Sequence, residues 1–309
     1  MTTEPQTDAP VPPAAAPAAT ASSGPATIVA DLVESQAVDG IFAVVRSERL
    51  LTRNGQPYLN LMLRDRSGSI PGRVFRDADA LRARFADGDA VRVRGRVERY
   101  RDALQLDVQQ LVRAEGVDPT LLLPTAYRDV DELEGFLEHL AREVHDAGLQ
   151  ALLLSVLGDP KLREALRTAP CSRGGHHAYL GGLLEHTVAV AQLSWELCQL
   201  HPRLDRDLLV TAAIVHDLGK IREFTYAGSI ELSDEGRMLG HVELGLQILA
   251  AHRPPSLGDD RWLSLTHCVL THHGPEVTPT RQFQSYEALA LFRVNAVDAQ
   301  LKFAFEHGL

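Results

Sequence analysis

The chain has 309 residues and a formal net charge of −10, and 45% of its residues are hydrophobic. This length and apolar content exclude a wholly disordered chain and leave room for two domains with separate cores. No apolar run approaches about 18 residues, and no basic segment followed by an apolar core opens the sequence, so we expect neither a membrane span nor an export signal.

Charge is divided unevenly along the chain. Residues 27–115 contain 15 Arg, no Lys and 13 acidic residues, whereas the remaining sequence is acidic. Guanidinium groups suit phosphates and carboxylates suit metal ions, so the two parts are expected to do different work. The three cysteines are far apart and form no CxxC pair, which disfavours a disulfide framework and predicts a cytoplasmic location.

The first 115 residues divide into a tail and a β-rich segment. Residues 1–26 are dominated by Ala, Pro, Thr and Ser, a composition that buries too little apolar surface to fold, so we expect a disordered tail. From residue 27 to 115, about five short alternating runs are separated by Gly turns, with one helical stretch near 78–85. This pattern predicts a small antiparallel β-barrel.

The phrases LRDRSGSIPGRVF and FADGDAVRVRGRVERYRDALQL resemble the OB-fold family of nucleic-acid-binding barrels. Such barrels stack the bases of single strands on aromatic side chains beside a cationic groove. Three arginines alternate with apolar residues and should share one strand face, which is either a nucleic-acid surface or an ordinary solvated face. Phe75 fits a surface position and a core position equally well. The expected nucleic-acid contacts are Arg92, Arg94, Arg96, Tyr58, Phe75 and Tyr100.

Beyond the barrel, apolar residues recur every three or four positions. Residues 116–134 are interpreted as a connector, and residues 135–309 are predicted to form an all-α domain with one short hairpin at 223–233. The last helix, near 285–306, has apolar residues on several sides. It is therefore expected either to complete the core or to form the contact of a homo-oligomer.

Histidines and one aspartate stand near the ends of several predicted helices. His216 and Asp217 follow the apolar run Leu208–Val215, where ionisable groups are costly to bury without a partner. A single helical His is usually structural, but several such positions on different helices are typical of a metal site inside a bundle. The expected ligands are His186, His216, Asp217, His241, His272 and His273.

These residues carry a family resemblance over about residues 135–309. Their order resembles the HD superfamily of metal-dependent phosphohydrolases. The phrases HHAYLGGLLEHT, AAIVHDLGK, GHVELG and THHG behind an OB barrel resemble the YhaM-type 3'-5' exoribonucleases. The resemblance implies two divalent ions that share Asp217, one held with His186 and His216 and the other with the three later histidines. Nitrogen-rich sites favour Mn, Fe, Co, Ni or Zn over Mg.

The sequence departs from the family pattern at the last ligand. The family has the first Asp of a DxxDA run there, whereas this chain reads VNAVDAQ, so Asn295 takes the ligand position. An amide oxygen coordinates without adding negative charge. Asp298, about one helical turn later, either substitutes as the ligand or makes a structural hydrogen bond. Asn295 and Asp298 are both candidate ligands of the first metal.

Residues beside the ligands are expected to act on the substrate. Lys220 directly follows the HDLG turn, where it either contacts the scissile phosphate or merely compensates a helix end. Arg173, His176 and His177 lie in the loop SRGGHHAY, where they bind phosphate, donate a proton to the leaving oxygen, or are simply exposed. The candidate catalytic residues are Asp217, Lys220 and His177.

The leading hypothesis is a metal-dependent 3'-5' exonuclease that hydrolyses single-stranded RNA, with DNA as a further candidate substrate, to nucleoside 5'-monophosphates. Its direction and substrate come from the family resemblance. One alternative is an HD phosphohydrolase of free or cyclic nucleotides with a regulatory barrel. The other is a nucleic-acid-binding protein whose HD centre is weakened by the loss of the late carboxylate.

Overall fold

The computed structural model describes residues 28–309, so the predicted disordered tail lies outside the described residues. The N-terminal part of the described chain contains β1 (Ala37–Leu51), β2 (Pro57–Asp65), β3 (Gly68–Val74), α1 (Ala78–Arg82), β4 (Ala90–Tyr100) and β5 (Ala103–Arg113). The strands close into a barrel in the order β1-β2-β3-β5-β4. The five-stranded OB-type barrel expected from the sequence is confirmed.

Strand β4 illustrates why this segment forms a barrel. Val91 and Val93 are fully buried, whereas Arg92 and Arg94 between and after them point to solvent. Alternating side chains of a strand face opposite sides of the sheet, so the valines fill the barrel interior. A bulge between Arg94 and Gly95 bends the strand. A Cβ at Gly95 would lie 2.2 Å from the carbonyl oxygen of Asp107, so only glycine allows this close approach.

The barrel departs from a purely antiparallel arrangement in one pair. Strands β3 and β5 run parallel, with Gly72 opposite Leu106. The chain leaves β3 through α1, crosses to β4 and returns along β5, which brings β5 beside β3 in the same direction. Alternation within a strand reveals its faces but not its partner, so the sequence pattern could not show this pairing.

The second part is helical, as expected. It contains α2 (Val130–Arg142), α3 (Ala147–Leu157), α4 (Pro160–Thr168), α5 (Gly182–Leu200), α6 (Arg206–Val215), α7 (Lys220–Glu223), the hairpin β6 (Phe224–Tyr226) and β7 (Ile230–Leu232), α8 (Asp234–His252), α9 (Asp259–Thr271) and α10 (Tyr286–His307). Helices α5 and α6 are buried over most of their length and are surrounded by the others. None of the described helices is long and apolar enough to cross a membrane.

Helices α8 and α10 differ from the expected pattern. Helix α8 begins seven residues before the expected start at His241, because Ser233 caps an extra turn that ends in a kink at Gly240 (φ 71°). In α10, Leu291 is fully buried, but Leu301 and Phe305 are 53% and 80% exposed. The first half of α10 therefore completes the core, and its end presents apolar side chains at the surface.

The barrel and the helical part contact each other through the β6–β7 hairpin. Arg64 Nη2 donates a hydrogen bond to the carbonyl oxygen of Gly228 over 2.9 Å. A Cβ at Gly228 would lie 2.4 Å from the carbonyl oxygen of Gly88, so the two backbones touch where both residues are glycine. The two parts thus share a direct contact in addition to their connector.

Candidate functional site

The centre of the helical domain is polar, although the surrounding core is apolar. His186, His216 and His272 are fully buried, and Asp217 is 1% exposed. They come from α5, the end of α6 and the end of α9, while His241 lies in α8 and His273 follows His272. A Cβ at Gly219 would lie 1.9 Å from the carbonyl oxygen of His241. This glycine therefore allows the turn after Asp217 to pack directly against α8.

The two carboxylate oxygens of Asp217 face different groups of histidines. Oδ2 lies 3.4 Å from Nε2 of His186 and 3.4 Å from Nε2 of His216, and these two nitrogens are 3.2 Å apart. Oδ1 lies 3.5 Å from Nε2 of His241 and 3.3 Å from Nε2 of His272. His273 joins the second group, since its Nε2 is 3.0 Å from that of His241.

Hydrogen bonds behind the rings orient these histidines. Nδ1 of His216 donates to the carbonyl oxygen of Ala213 over 2.8 Å, and Nδ1 of His272 donates to that of Val269 over 2.6 Å. A carbonyl oxygen only accepts, so Nδ1 carries the proton and the lone pair of Nε2 points inward. Burial also lowers the pKa of His216 to about 4, which keeps the ring neutral. Both features suit metal ligation.

The residues present fit a pair of divalent ions. Within residues 28–309, neither Oδ1 of Asp217 nor Nε2 of His272 has a hydrogen-bond partner, although both atoms are buried. Buried polar atoms without partners are costly and call for a ligand. Two donors bound to one ion at about 2.1 Å lie about 3.0–3.4 Å apart, close to the separations found here. The described residues thus offer two adjoining donor groups that share Asp217.

Lys220 is buried beside Asp217. Its Nζ lies 2.7 Å from Oδ2 of Asp217, and its side chain is 7% exposed. Burial alone would raise the pKa of Asp217, but the charge of Lys220, helped by the neighbouring imidazoles, outweighs it and holds that pKa well below its ordinary value. Burial likewise opposes the charge on Lys220, yet Asp217 raises its pKa above the ordinary value. Both groups are therefore charged at neutral pH.

Asp298 contacts the rear of a candidate ligand. Its Oδ2 lies 2.6 Å from Nδ1 of His186 and 3.1 Å from Nε2 of His177. It therefore meets the His186 ring at the nitrogen that does not face Asp217, and this geometry favours an orienting carboxylate over a direct ligand. The pKa of Asp298 is lowered because the bonds to both histidines outweigh the opposing effect of burial.

Asn295 is buried and turned toward a backbone carbonyl. Its Nδ2 donates to the carbonyl oxygen of His272 over 3.4 Å. The residue in the family's carboxylate position is thus close to the centre, but it brings no charge.

The loop between α4 and α5 separates the two residues of its His pair. His177 is 2% exposed and contacts Asp298 and the hydroxyl of Tyr179. His176 is partly buried, with its ring centroid 5.2 Å from that of His186, and burial lowers its pKa to about 3. Arg173 is exposed and lies 3.7 Å from Glu231. The expectation of a substrate-side role for His177 does not match its buried place, because Asp298 and Tyr179 occupy both ring nitrogens.

The aromatic residues expected on the barrel form one group at its surface, in which Phe75 and Tyr100 are exposed and Tyr58 is half-buried. Phe75 stacks on Tyr58 with ring centroids 5.5 Å apart, and it is 53% exposed, which excludes the core position. The guanidinium of Arg73 lies 5.6 Å from the ring centre of Tyr58 and 5.4 Å from that of Tyr100. Gln105 accepts a hydrogen bond from Arg73 over 2.8 Å and fixes its direction. The sequence pattern did not predict that Arg73 lies between these aromatic rings.

The three predicted arginines of β4 lie on its outer face, but their charges are partly paired. Asp39 on β1 accepts hydrogen bonds from Arg92 over 2.7 Å and from Arg94 over 2.8 Å. These bonds, chiefly that of Arg92, lower the pKa of Asp39. Arg96 donates to the carbonyl oxygen of Ser35. One carboxylate thus offsets part of the positive charge expected for a nucleic-acid surface.

Glu223 is another residue that the sequence reasoning missed. Its Oε1 lies 3.1 Å from Nδ1 of His241 and accepts a hydrogen bond from the backbone N–H of the same residue at 3.1 Å. Glu223 therefore orients His241 as Asp298 orients His186. The only available signal was a carboxylate one turn after HDLGK, 18 residues before its partner.

Comparisons with known families agree with this arrangement. Residues 183–300 match the HD domain, and residues 41–113 match the OB-fold nucleic acid binding domain. The protein is thus of the class that joins an OB barrel to an HD domain.

Comparison with individual proteins identifies the family. The chain is 29% identical to the 3'-5' exoribonuclease YhaM of Shouchella clausii, over 86% of this chain and 84% of that protein. It is 30% identical to YhaM of Oceanobacillus iheyensis, over 85% and 84%, and 30% identical to YhaM of Bacillus subtilis, over 77% and 76%. The chain belongs to the YhaM 3'-5' exoribonuclease family, as the sequence motifs predicted.

Proposed function

We propose that this chain is a metal-dependent 3'-5' exonuclease that degrades single-stranded RNA to nucleoside 5'-monophosphates. The observation that carries the proposal is the position of Asp217, whose two oxygens face separate histidine groups at 3.3–3.5 Å. A shared carboxylate between two nitrogen-rich positions is suited to phosphodiester hydrolysis by paired ions. Family membership supports the direction of degradation and the RNA substrate.

Each residue at the centre has a defined part in this proposal. His186, His216 and Asp217 would hold one ion, while Asp217, His241, His272 and His273 would hold the other. Bound divalent ions supply Lewis-acid activation of the phosphodiester and of the attacking water. Asp298 and Glu223 keep two ligand rings in their inward orientation. Lys220 provides a fixed positive charge beside Asp217, where it also attracts the phosphate.

The barrel would hold the strand upstream of the cleaved end. Tyr58, Phe75 and Tyr100 offer faces for bases, and Arg73 among them offers a cation to a base or phosphate. Stacking tolerates any base, which fits an enzyme that must move along a sequence. Arg92, Arg94 and Arg96 would add a weaker electrostatic attraction, because Asp39 already pairs with two of them.

Labelled RNA tests this function. A 5'-labelled single-stranded RNA incubated with the full-length protein and Mn²⁺ should shorten stepwise from its 3' end and release nucleoside 5'-monophosphates. The same strand labelled at its 3' end should lose its label in the first step. The Asp217→Asn variant is the matched control, because it keeps the shape of the side chain and removes its charge.

Two other outcomes would contradict the proposal. Intact RNA together with hydrolysis of free or cyclic nucleotides would favour a nucleotide phosphohydrolase with a regulatory barrel. Binding of RNA without cleavage of any substrate would favour a nucleic-acid-binding protein with a weakened centre. A single-stranded DNA of the same sequence, assayed in parallel, determines whether DNA is also a substrate.

Two further properties belong to this proposal. Cys171, Cys198 and Cys268 are free thiols, which supports the cytoplasmic location expected from the sequence. The exposed apolar end of α10 supports a homo-oligomer, in which Leu301 and Phe305 would be covered.

A further inference from the structure

Cys171 lies next to the first donor group, which consists of His186, His216 and Asp217. The family pattern includes no cysteine among the ligands of this group. Its side chain is fully buried. Sγ is 3.9 Å from Oδ2 of Asp217, 3.7 Å from Nε2 of His176 and 3.4 Å from Nζ of Lys220. One donor atom each from Cys171, His176 and His186 lies within 4.8 Å of the others. Sulfur and two imidazole nitrogens thus converge beside the carboxylate of Asp217.

The loop that follows Cys171 holds this geometry. The backbone N–H of Cys171 donates to the carbonyl oxygen of His177 over 3.1 Å. The hydroxyl of Ser172 donates to the carbonyl oxygen of His176 over 2.8 Å and accepts from the N–H of Gly175 over 2.9 Å. The loop is therefore closed on itself, and it places Cys171 and His176 side by side at the edge of the centre.

The composition of the first donor group explains why a sulfur ligand would matter. His186, His216 and Asp217 together provide a single negative charge. Asn295 adds none, and Asp298 contacts the far side of the His186 ring. The ammonium of Lys220 lies within 2.7 Å of Oδ2 of Asp217 and 3.4 Å of Sγ of Cys171. Oδ2 of Asp217 and Sγ of Cys171 thus both face the positive charge of Lys220.

We propose that Cys171, assisted by His176, is a ligand of the first metal position and makes that position selective for soft, thiophilic ions such as Zn²⁺ and Co²⁺. Thiolates favour Zn²⁺ and Co²⁺ over Mn²⁺ and Mg²⁺. A thiolate also supplies the second negative charge that an amide at residue 295 cannot supply. This inference rests on the proposed metal site, because it assigns one additional pair of donors to it.

Cobalt spectroscopy tests the sulfur ligand directly. The full-length protein, stripped of metal with a chelator and reloaded with Co²⁺, should show a thiolate-to-cobalt charge-transfer band in the near ultraviolet. Cys171→Ala should lose the band, and so should Cys171→Ser, which keeps the size of the side chain. The ratio of Zn²⁺ to Mn²⁺ affinity should fall on the order of tenfold in both variants. His176→Ala should keep the band but need about tenfold more Co²⁺ to reach its midpoint.

The other two buried cysteines provide matched controls. Cys198→Ala and Cys268→Ala should keep the band, because both thiols lie outside the donor groups formed by the described residues. Helical circular dichroism must match the wild type in every variant used. A wild-type protein that binds Co²⁺ and trims RNA without showing the band would overturn the sulfur ligand and leave the exonuclease intact. A band that persists in Cys171→Ala overturns it too, and an unchanged midpoint in His176→Ala removes His176 from the ligand set. A protein that binds no metal overturns both proposals.

Discussion

In the barrel, the paired arginines of β4 and their carboxylate partner lie at the surface, whereas the helical domain also encloses a charged pair at its centre. Arg92 and Asp39 are 46% and 40% exposed, but Lys220 and Asp217 are only 7% and 1% exposed. Exposed ion pairs contribute little to stability and tolerate change, while a buried charge without a partner is severely destabilising. We therefore expect the buried pair to serve chemistry and the exposed pairs mainly to attract a ligand.

The largest effect is expected at the buried carboxylate. Asp217→Asn removes the charge that both donor groups share, so RNA trimming should fall on the order of 10³-fold or more, as loss of metal activation implies. Bound metal, measured by mass spectrometry, should fall in parallel. Asp39→Asn in the barrel is the control from the other region and should keep both metal and activity. Trimming that survives in Asp217→Asn would refute the two-group centre.

The orienting carboxylate should produce a smaller loss. Asp298→Asn keeps an oxygen near Nδ1 of His186 but loses its charge, so metal affinity should fall about 10- to 100-fold. Activity should recover when the metal concentration is raised, because the direct donors are intact. A loss that excess metal does not restore would instead make Asp298 a direct participant.

The aromatic group of the barrel should affect binding without affecting chemistry. Phe75→Ala removes one stacking face, so the dissociation constant for a long single-stranded RNA should rise about tenfold. Hydrolysis of bis(p-nitrophenyl) phosphate, which is too small to reach the barrel, should be unchanged. Arg92→Ala should weaken binding less, since Asp39 already offsets its charge. Equal losses for the long and the small substrate would indicate that the barrel supports folding.

The smallest effect concerns stability at acid pH. Hydrogen bonding to Arg163, and also to Arg167, lowers the pKa of Glu134 below its ordinary 4.5, although burial opposes this. A group with a lowered folded-state pKa stabilises the protein above its unfolded pKa, and the stability is lost as the pH falls through the folded value. Glu134→Gln should therefore cost about 1 kcal/mol at neutral pH and flatten the acid limb of the unfolding free energy.

An exposed pair in the barrel is the control for Glu134. Asp79 and Arg49 are 60% and 49% exposed, and the hydrogen bond from Arg49 also lowers the pKa of Asp79. Solvent screens this pair, so Asp79→Asn should change the pH dependence of unfolding less than Glu134→Gln does. Chemical denaturation between pH 3 and 7 compares the two variants (about the range in which carboxylates titrate). Equal effects would remove the contrast between the two regions.

The sequence predicted the main features of both regions because its strongest signals are local. Alternation in β4 and three- to four-residue spacing after Gly116 identified the barrel and the helices. The adjacent ionisable pair His216–Asp217 after an apolar helix predicted a polar centre. Family motifs then placed the other histidines, and the structure brings all six expected ligands together.

The details that escaped prediction depend on direction or on long-range contact. Asp298 is one turn from Asn295, and spacing alone could not show that it faces the rear of His186. Glu223 and Cys171 meet partners that lie 18 and 46 residues away in sequence. Arg73 stands alone in its strand, and only closure of the barrel places it between Tyr58 and Tyr100. These contacts form only when the whole chain has folded, so no local sequence pattern reveals them.

The glycine contact between barrel and hairpin has a consequence for the length of the final product. Because Gly88 and Gly228 touch through their backbones and Arg64 adds a hydrogen bond, we expect the aromatic group of the barrel to keep a fixed distance from the centre formed around Asp217. If the barrel binds the strand as proposed, a strand longer than that distance contacts both regions at once. Once trimming shortens the strand below that distance, it should lose the aromatic contacts and dissociate, so degradation should slow at one characteristic product length.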